Sequence, residues 1–401
     1  MLRTFGPAHP LVLHIIPRRT AAVRRDPFRS DAPMLPFRSP ASVRPHMFNI
    51  VLSFITAFAL SYMVMPGIIK IALDKNLTAQ TGERHVHKKI TPSLGGISIF
   101  IGMVFSIILW TPFETFGDLQ YILCGMLLLF IMGVKDDIIE MSALRKLVGQ
   151  VLAAGILVFK SGILLTSLYG IFGVTELPYP VSVALSIFII LVIINSFNLI
   201  DGINGLSGSV TVVVCLFFGI WFMSVDEIGL AIMAFATMGS VVAFLRYNFP
   251  KADIFMGDTG SLILGLMMSV LAIRFIELQT ELPADNPYHY ASAPAMAVAI
   301  LILPLFDTLR VFALRAMRGR SPLSPDRNHV HHLLIDSGLS HAQATIILVS
   351  VNCIFIFLVI QMQGMGNAFL MLVILGLAVA FMIILQIRVM RKRRLKKRLE
   401  V

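Results

Sequence analysis

Apolar runs of about 20 residues, each nearly free of charge, recur from residue 48 to residue 387 with short polar connections between them. As an α-helix, a run of that length crosses the roughly 30 Å hydrocarbon core of a bilayer. A water-soluble fold has no interior for so much apolar surface, because burial is limited by surface-to-volume scaling. The chain is 57% hydrophobic and 14% charged over 401 residues, whereas soluble domains carry about 25% charged residues. In lipid, each run must satisfy its own backbone hydrogen bonds, and a helix does so. The expected fold class is all-α: a polytopic membrane protein of about eleven transmembrane helices, at 48–71, 94–110, 119–134, 147–162, 180–197, 206–223, 227–246, 257–275, 293–313, 343–362 and 366–387. The fourth is the weakest, shortened by flanking Gly and Lys. No internal repeat is visible.

Charge in the connections sets the orientation. Odd-numbered connections carry Lys75, Arg84, Lys88 and Lys89, then Lys135, Arg145 and Lys146, then Arg246 and Lys251, then Arg315, Arg318, Arg320 and Arg327. Even-numbered connections carry Glu114, Asp118, Glu176, Asp226, Glu227, Glu277, Glu281 and Asp285. The odd connections and the basic tail at 391–401 are therefore expected in the cytoplasm. The Arg- and Pro-rich residues 1–46 conflict with that orientation and show no signal-peptide core. They are read as a disordered extension or as sequence upstream of a true start at Met47, and 47–390 as the transmembrane domain. The net charge of +11 sits largely in these two ends, where anionic lipid accounts for it; no aromatic-interleaved basic surface points to nucleic acid. Cys124, Cys215 and Cys353 all lie in apolar runs, without metal-ligand or disulfide spacing.

Ionisable residues beside membrane spans are costly, and four clusters fall at the expected inner ends. Asp136 and Asp137, with Glu140, Arg145 and Lys146 nearby, close the third span. Adjacent carboxylates repel unless a cation compensates, so the pair fits a hard divalent metal or a charged loop in water. Asn195, Asn198, Asp201, Gly202, Asn204 and Gly205 join the fifth and sixth spans, where glycines allow close approach of a ligand and Asn offers an oxygen to Mg²⁺. A simple capped interhelical turn is the alternative. Gly257, Asp258, Thr259 and Ser261 open the eighth span; Asp258 stands where a helix cap would, and that helix end also suits phosphate. Ser324, Asp326, Arg327, Asn328, His329, His331 and His332 fill the longest inner loop. Arg forks onto phosphate oxygens, imidazoles donate to phosphate or bind metal, and the oxygen-rich company favours Mg²⁺ or Mn²⁺ over zinc. The loop from Gly82 to Lys89 reads as a phosphate site or a plain positive-inside loop. Asp307 and Arg310 read as an internal ion pair, and the acceptor pattern at Asn76–Thr78 as chance.

In this order and on one face, the four clusters resemble the polyprenyl-phosphate N-acetylhexosamine-1-phosphate transferases, over about residues 48–387. The family's D-D-x-x-D/E pattern is Asp136, Asp137 and Glu140; N-x-x-N-x-x-D-G-x-x-G-L runs from Asn195 to Leu206; M-G-D-x-G-S runs from Met256 to Ser261. The H-x-H-H form of His329, His331 and His332 is similar to the N-acetylglucosamine branch, closest to the bacterial undecaprenyl-phosphate enzymes.

The resemblance implies that Asn198 and Asp258 hold Mg²⁺, or Mn²⁺, on the pyrophosphate of a UDP-N-acetylhexosamine. It implies Asp136, Asp137, Asp201 and Lys146 as catalytic residues, the first two beside the phosphate of undecaprenyl phosphate and Lys146 on phosphate. Gly202 and Asn204 would meet uracil, Arg327 the pyrophosphate, and His329, His331 and His332 the phosphates or sugar. The implied reaction releases UMP at the cytoplasmic face of the bacterial inner membrane, as the first membrane step of a cell-envelope or lipopolysaccharide pathway, with a homodimer left open. A UDP-MurNAc-pentapeptide or 6-deoxy donor, or a membrane transporter, is the rival.

Overall fold

The computed structural model describes residues 43–75, 77, 91–319 and 329–399, as backbone alone at 43–46 and 393–399. The extension at 1–42, Asn76, Thr78, the basic loop from Gly82 to Lys89, and Ser324, Asp326, Arg327 and Asn328 lie outside the described residues. Thirteen α-helices follow one another: α1 (Val43–Asp74), α2 (Gly95–Trp110), α3 (Leu119–Ile138), α4 (Ala143–Lys160), α5 (Tyr179–Ile200), α6 (Leu206–Ser224), α7 (Ile228–Asn248), α8 (Gly257–Leu278), α9 (Ala293–Ile300), α10 (Ile302–Met317), α11 (Val330–Asp336), α12 (His341–Met362) and α13 (Asn367–Leu399). The described residues contain no β-strand beyond one isolated bridge between Ser167 and Glu176.

Ten of the eleven expected spans each fall on a single helix and that at 293–313 on two, α9 and α10, but the count of about eleven crossings is not confirmed. Among the described residues, seven helices are long and apolar enough to cross alone (α1, α5, α6, α7, α8, α12 and α13), and α9 with α10 makes an eighth if that pair counts as one. The others give up apolar length. α2 has 16 residues, α3 ends in Lys135, Asp136 and Asp137, and α4 carries Arg145, Lys146 and Lys160. Of these charges, Asp136, Asp137 and Lys146 are gathered at the site described below.

α9 and α10 meet at a bend of 82°. Pro304 has no N–H to offer the Ile300 carbonyl four residues earlier, so the helix cannot run through. Asn352, buried in the middle of α12, donates to that carbonyl at 3.2 Å. The cost of leaving a backbone acceptor bare in an apolar interior is thereby avoided.

α7 and α8 are apolar all round and buried nearly throughout, as expected of helices enclosed by other helices. α1, α12 and α13 instead turn large side chains outward, among them Met63, Phe357, Leu372 and Ile384. A continuous apolar exterior of this kind belongs in lipid. The protein is a multi-pass membrane protein. Cys124 and Cys353 lie on that exterior and Cys215 in the core, with no disulfide among them.

Small residues set how closely the helices approach. A Cβ on Gly133 of α3 would stand 2.5 Å from Thr259 Cα, and one on Gly96 of α2 would strike the Gly260 backbone. The first turn of α8 is therefore pressed between α2 and α3. The connections also segregate. At one end Gly205 N–H donates to Asn248 Oδ1 at 2.6 Å, Gly95 N–H to the Phe255 carbonyl at 2.9 Å, and Thr345 to the Asn204 carbonyl at 2.9 Å. At the other, Thr166 donates to Glu277, Trp221 to the Tyr288 carbonyl and Ser292 to the Gln363 carbonyl. The basic and acidic connections thus occupy opposite ends of the bundle.

Candidate active site

At the basic end, the C-terminal turns of α3 and α5 meet the N-terminal turns of α4 and α8. Gly257 begins the junction with a φ of 72°, a left-handed conformation that glycine adopts without strain. A Cβ there would stand 2.5 Å from the Asp137 carboxylate. That absence of a side chain lets Asp137 Oδ1 accept from the Asp258 N–H at 2.8 Å, while Oδ2 accepts from the Thr259 N–H at 3.0 Å and its hydroxyl at 2.6 Å. Asp137 is therefore the cap of α8, supplied from another helix. This corrects the capping alternative for Asp258, which lies inside the first turn with its carboxylate turned to Lys146 and Asn198 instead.

Lys146 Nζ sits 2.6 Å from Asp258 Oδ2 and 2.5 Å from Asp136 Oδ2. Asp136 Oδ1 accepts from the Met141 N–H at 2.6 Å, which fixes the turn between α3 and α4. The Asn198 amide donates to Asp258 Oδ1 at 3.0 Å and to Ser261 Oγ at 2.9 Å. Asp136, Asp137, Lys146, Asn198 and Asp258 thus form one connected set around the start of α8. Glu140 is exposed and makes no hydrogen bond or ion pair among the described residues.

Asp201 follows the last turn of α5 and has no hydrogen-bond partner among the described residues. Burial, and then the negative charges of Asp258 and Asp137, push its carboxyl up from 3.8 to about 7. Among the described residues, Lys146 is the ammonium paired with these carboxylates, through Asp136 and Asp258, while Asp137 and Asp201 have no cation partner there. So unbalanced a group is one that a divalent cation or a cationic ligand would relieve.

Gly202 packs directly on the His331 ring, since a Cβ there would strike Nε2. Both His331 nitrogens are buried without a hydrogen-bond partner among the described residues. Burial first, then the neighbouring His332, lowers its imidazole to about 3, so the ring is neutral. His331 stacks on His329 with ring centres 5.5 Å apart and planes inclined by 6°, and lies 4.3 Å from the His332 ring. Asn204 donates to the Pro250 carbonyl at 3.3 Å. The expected ion pair of Asp307 with Arg310 is present at 3.2 Å. Arg327 lies outside the described residues.

Four residues complete the site that motif reading did not single out by role. Thr259 and Ser261 bond Asp137 and Asn198. Gln150, 2% exposed on α4, pairs its amide with that of Asn195 at 2.8 Å. Asp307 holds the histidine segment, as set out below. A lone Gln in an apolar run was the legible signal for Gln150, because buried amides must find partners.

Truncating the cap gives a first test. Asp137→Ala leaves two N–H groups and a hydroxyl without an acceptor, a cost of about 1–3 kcal/mol. Its thermal midpoint in detergent is expected to fall, with turnover down roughly tenfold through displacement of Asp258. Asp137→Asn, which keeps one acceptor oxygen, should fall between the two. Unchanged stability in the alanine variant would remove the capping role.

An apolar helical bundle with interlocked carboxylates, amides and a lysine at a single end is a membrane protein with a candidate active site at that end. A transport path would carry such groups near the midplane, in interrupted helices. The family model described as "Glycosyl transferase family 4" matches residues 119–276, which hold three of the four clusters. A probable undecaprenyl-phosphate N-acetylglucosaminyl 1-phosphate transferase of Bacillus subtilis (strain 168) is 31% identical over 77% of this chain and 84% of its own. The decaprenyl-phosphate N-acetylglucosaminephosphotransferase of Mycolicibacterium smegmatis is 30% identical, with 73% and 77% covered. The undecaprenyl-phosphate alpha-N-acetylglucosaminyl 1-phosphate transferase of Escherichia coli (strain K12) is 31% identical, with 70% and 74% covered. The chain belongs to glycosyl transferase family 4, as its motifs lead one to expect.

Proposed function

We propose that the protein transfers N-acetylglucosamine 1-phosphate from UDP-GlcNAc to undecaprenyl phosphate, releasing UMP, at the cytoplasmic face of a bacterial inner membrane. This would begin the membrane stage of a cell-envelope polysaccharide. The observation that carries it is the junction at Asp258, where Lys146 of α4, Asn198 of α5 and Asp137 of α3 converge on the first turn of α8. The relatives are named for N-acetylglucosamine 1-phosphate transfer to a polyprenyl phosphate, which supports the donor and acceptor.

In the reaction an oxygen of the lipid phosphate bonds to the sugar-side phosphorus of the donor, and the bond from that phosphorus to the UMP oxygen breaks. Such a transfer asks chiefly for alignment and charge neutralisation. Lys146 lies where it can neutralise phosphate oxygens beside Asp258. Asp136 orients Lys146, and Asp137 keeps the first turn of α8 in place by accepting from its N–H groups. The lipid phosphate is largely ionised near neutral pH, so a strong base is hardly needed. The histidines border the site from α11.

The donor set fits a resident Mg²⁺ or Mn²⁺. Among the described residues, no three His, Cys or carboxylate side chains form a ready cage. Mg²⁺ is held in just this manner, by one or two carboxylates together with substrate phosphates. Asp258 and Asn198 would hold it, with Asp201 as the unpartnered carboxylate alongside. When bound, the ion would supply charge neutralisation on the pyrophosphate.

A donor panel on purified protein tests the reading. UMP release with undecaprenyl phosphate and Mg²⁺ is expected with UDP-GlcNAc, and at least about tenfold slower with UDP-MurNAc-pentapeptide or a 6-deoxy N-acetylhexosamine donor. No UMP from any donor, with uptake of a solute into vesicles instead, would return the protein to the transporters.

A further inference from the structure

Asp307 is one of the most enclosed charges in the bundle, 4% exposed in α10 just beyond the bend. Ionised groups at such depth are retained when they are paired and hydrogen-bonded, and Asp307 is fully engaged. Oδ2 lies 2.7 Å from His329 Nδ1. Oδ1 accepts from the Val330 N–H, the first of α11, at 2.9 Å and from Arg310 at 3.2 Å. One carboxylate thus joins the bent helix to the histidine segment at two points, a side chain and a backbone group.

We propose that Asp307 is the positioning residue of the transfer reaction, holding His329 with its proton on Nδ1 so that Nε2, at the opposite edge of the ring, offers its lone pair to a sugar hydroxyl of the substrate. The inference rests on the transferase reading above. Arg310, one turn along α10, holds the carboxylate from the other side at 3.2 Å. His329, so fixed, is the plate on which His331 stacks, and His331 in turn lies against Gly202, next to Asp201. The bend at Leu301 therefore does more than interrupt an apolar span: it turns α10 so that its carboxylate reaches the chain 22 residues further on. An Asp–His pair of this kind sets the tautomer of an imidazole, and through it whether the other nitrogen donates or accepts.

Asparagine at this position tests tautomer and anchoring separately. The Val330 N–H needs an acceptor at the Oδ1 site, so the asparagine oxygen must lie there and its NH₂ must face His329. That NH₂ can only donate, which drives the proton of His329 from Nδ1 to Nε2. Asp307→Asn is expected to lower kcat about 30-fold, in line with the loss of an orienting partner of a functional imidazole, with KM for the UDP-sugar changed less than about threefold. The double variant Asp307→Asn/His329→Gln should be no slower than His329→Gln alone, because both act through one ring. Multiplicative losses would overturn the proposal, as would full turnover in Asp307→Asn.

A second measurement needs no variant to function. In ¹⁵N-histidine-labelled wild-type protein, the resonance that His329→Gln removes must report a proton on Nδ1; an unprotonated Nδ1 would overturn the inference even if Asp307→Asn fails to fold. Should wild-type protein release no UMP, the functional reading falls, while the Nδ1 signal still decides the Asp307–His329 pairing.

Discussion

Replacing Asp258 by asparagine is expected to slow UMP release about a thousandfold, or about 4 kcal/mol of lost transition-state stabilisation, in a protein that still folds. The fold should survive because Asp258 does not cap α8; Asp137 does, through the backbone N–H groups of Asp258 and Thr259. Asparagine keeps an oxygen for the Asn198 amide, and Lys146 keeps its pair with Asp136. What disappears is the negative charge at the point where Lys146 and Asn198 meet. A neutral amide binds a hard divalent cation far more weakly than a carboxylate does. The check is a paired measurement of turnover across a Mg²⁺ titration and of the thermal midpoint with and without Mg²⁺. The variant should lose both the rate and the Mg²⁺-dependent rise in midpoint; wild-type turnover would end the metal assignment to Asp258 and Asn198.

The positions of the helices were legible because apolar length and the lipid constraint leave a chain little choice, and every expected span but the one at 293–313 lies on a single helix. The number of crossings was not, because hydropathy cannot separate a helix that spans alone from one whose end is given to a site, as in α3 and α4. The bend between α9 and α10 had a signal in Pro304 and another in the isolated Asn352, but their connection through the Ile300 carbonyl depends on two segments that only folding brings together. The four clusters were legible as residue types beside membrane ends. Their division of labour was not. Asp136 and Asp137 are neighbours in sequence with the same side chain, yet one orients a lysine and the other caps a distant helix. The difference is set by Gly257 and Gly133, which admit α8 to one carboxylate and not to the other. His331 likewise reads as a ligand by type but is packed, neutral, against Gly202.

Asp201 should show the signature of a charge kept at the expense of stability. Without divalent cation its carboxyl titrates at about 7 in the folded protein, against 3.8 for an ordinary aspartate. Between those values the native state binds more protons than the unfolded one, so stability falls as pH rises through that window and remains low above it. The full displacement corresponds to at most about 4 kcal/mol, and partial contact with solvent reduces this to about 1–2 kcal/mol. Asp201→Asn, a neutral side chain of the same shape, removes the penalty. In the presence of a chelator, the variant is expected to melt several degrees above wild type at pH 8, with the gap closing toward pH 4–5. Its turnover should nevertheless fall by about two to three orders of magnitude, because the carboxylate is then absent when phosphate and cation arrive. Adding Mg²⁺ at pH 8 should raise the wild-type midpoint more than the variant's, since binding to the native state stabilises it. A variant that melts below wild type at pH 8 in chelator would show that the Asp201 carboxylate is compensated by a partner in the fold, and the idea of a charge held in reserve for the substrate complex would be lost.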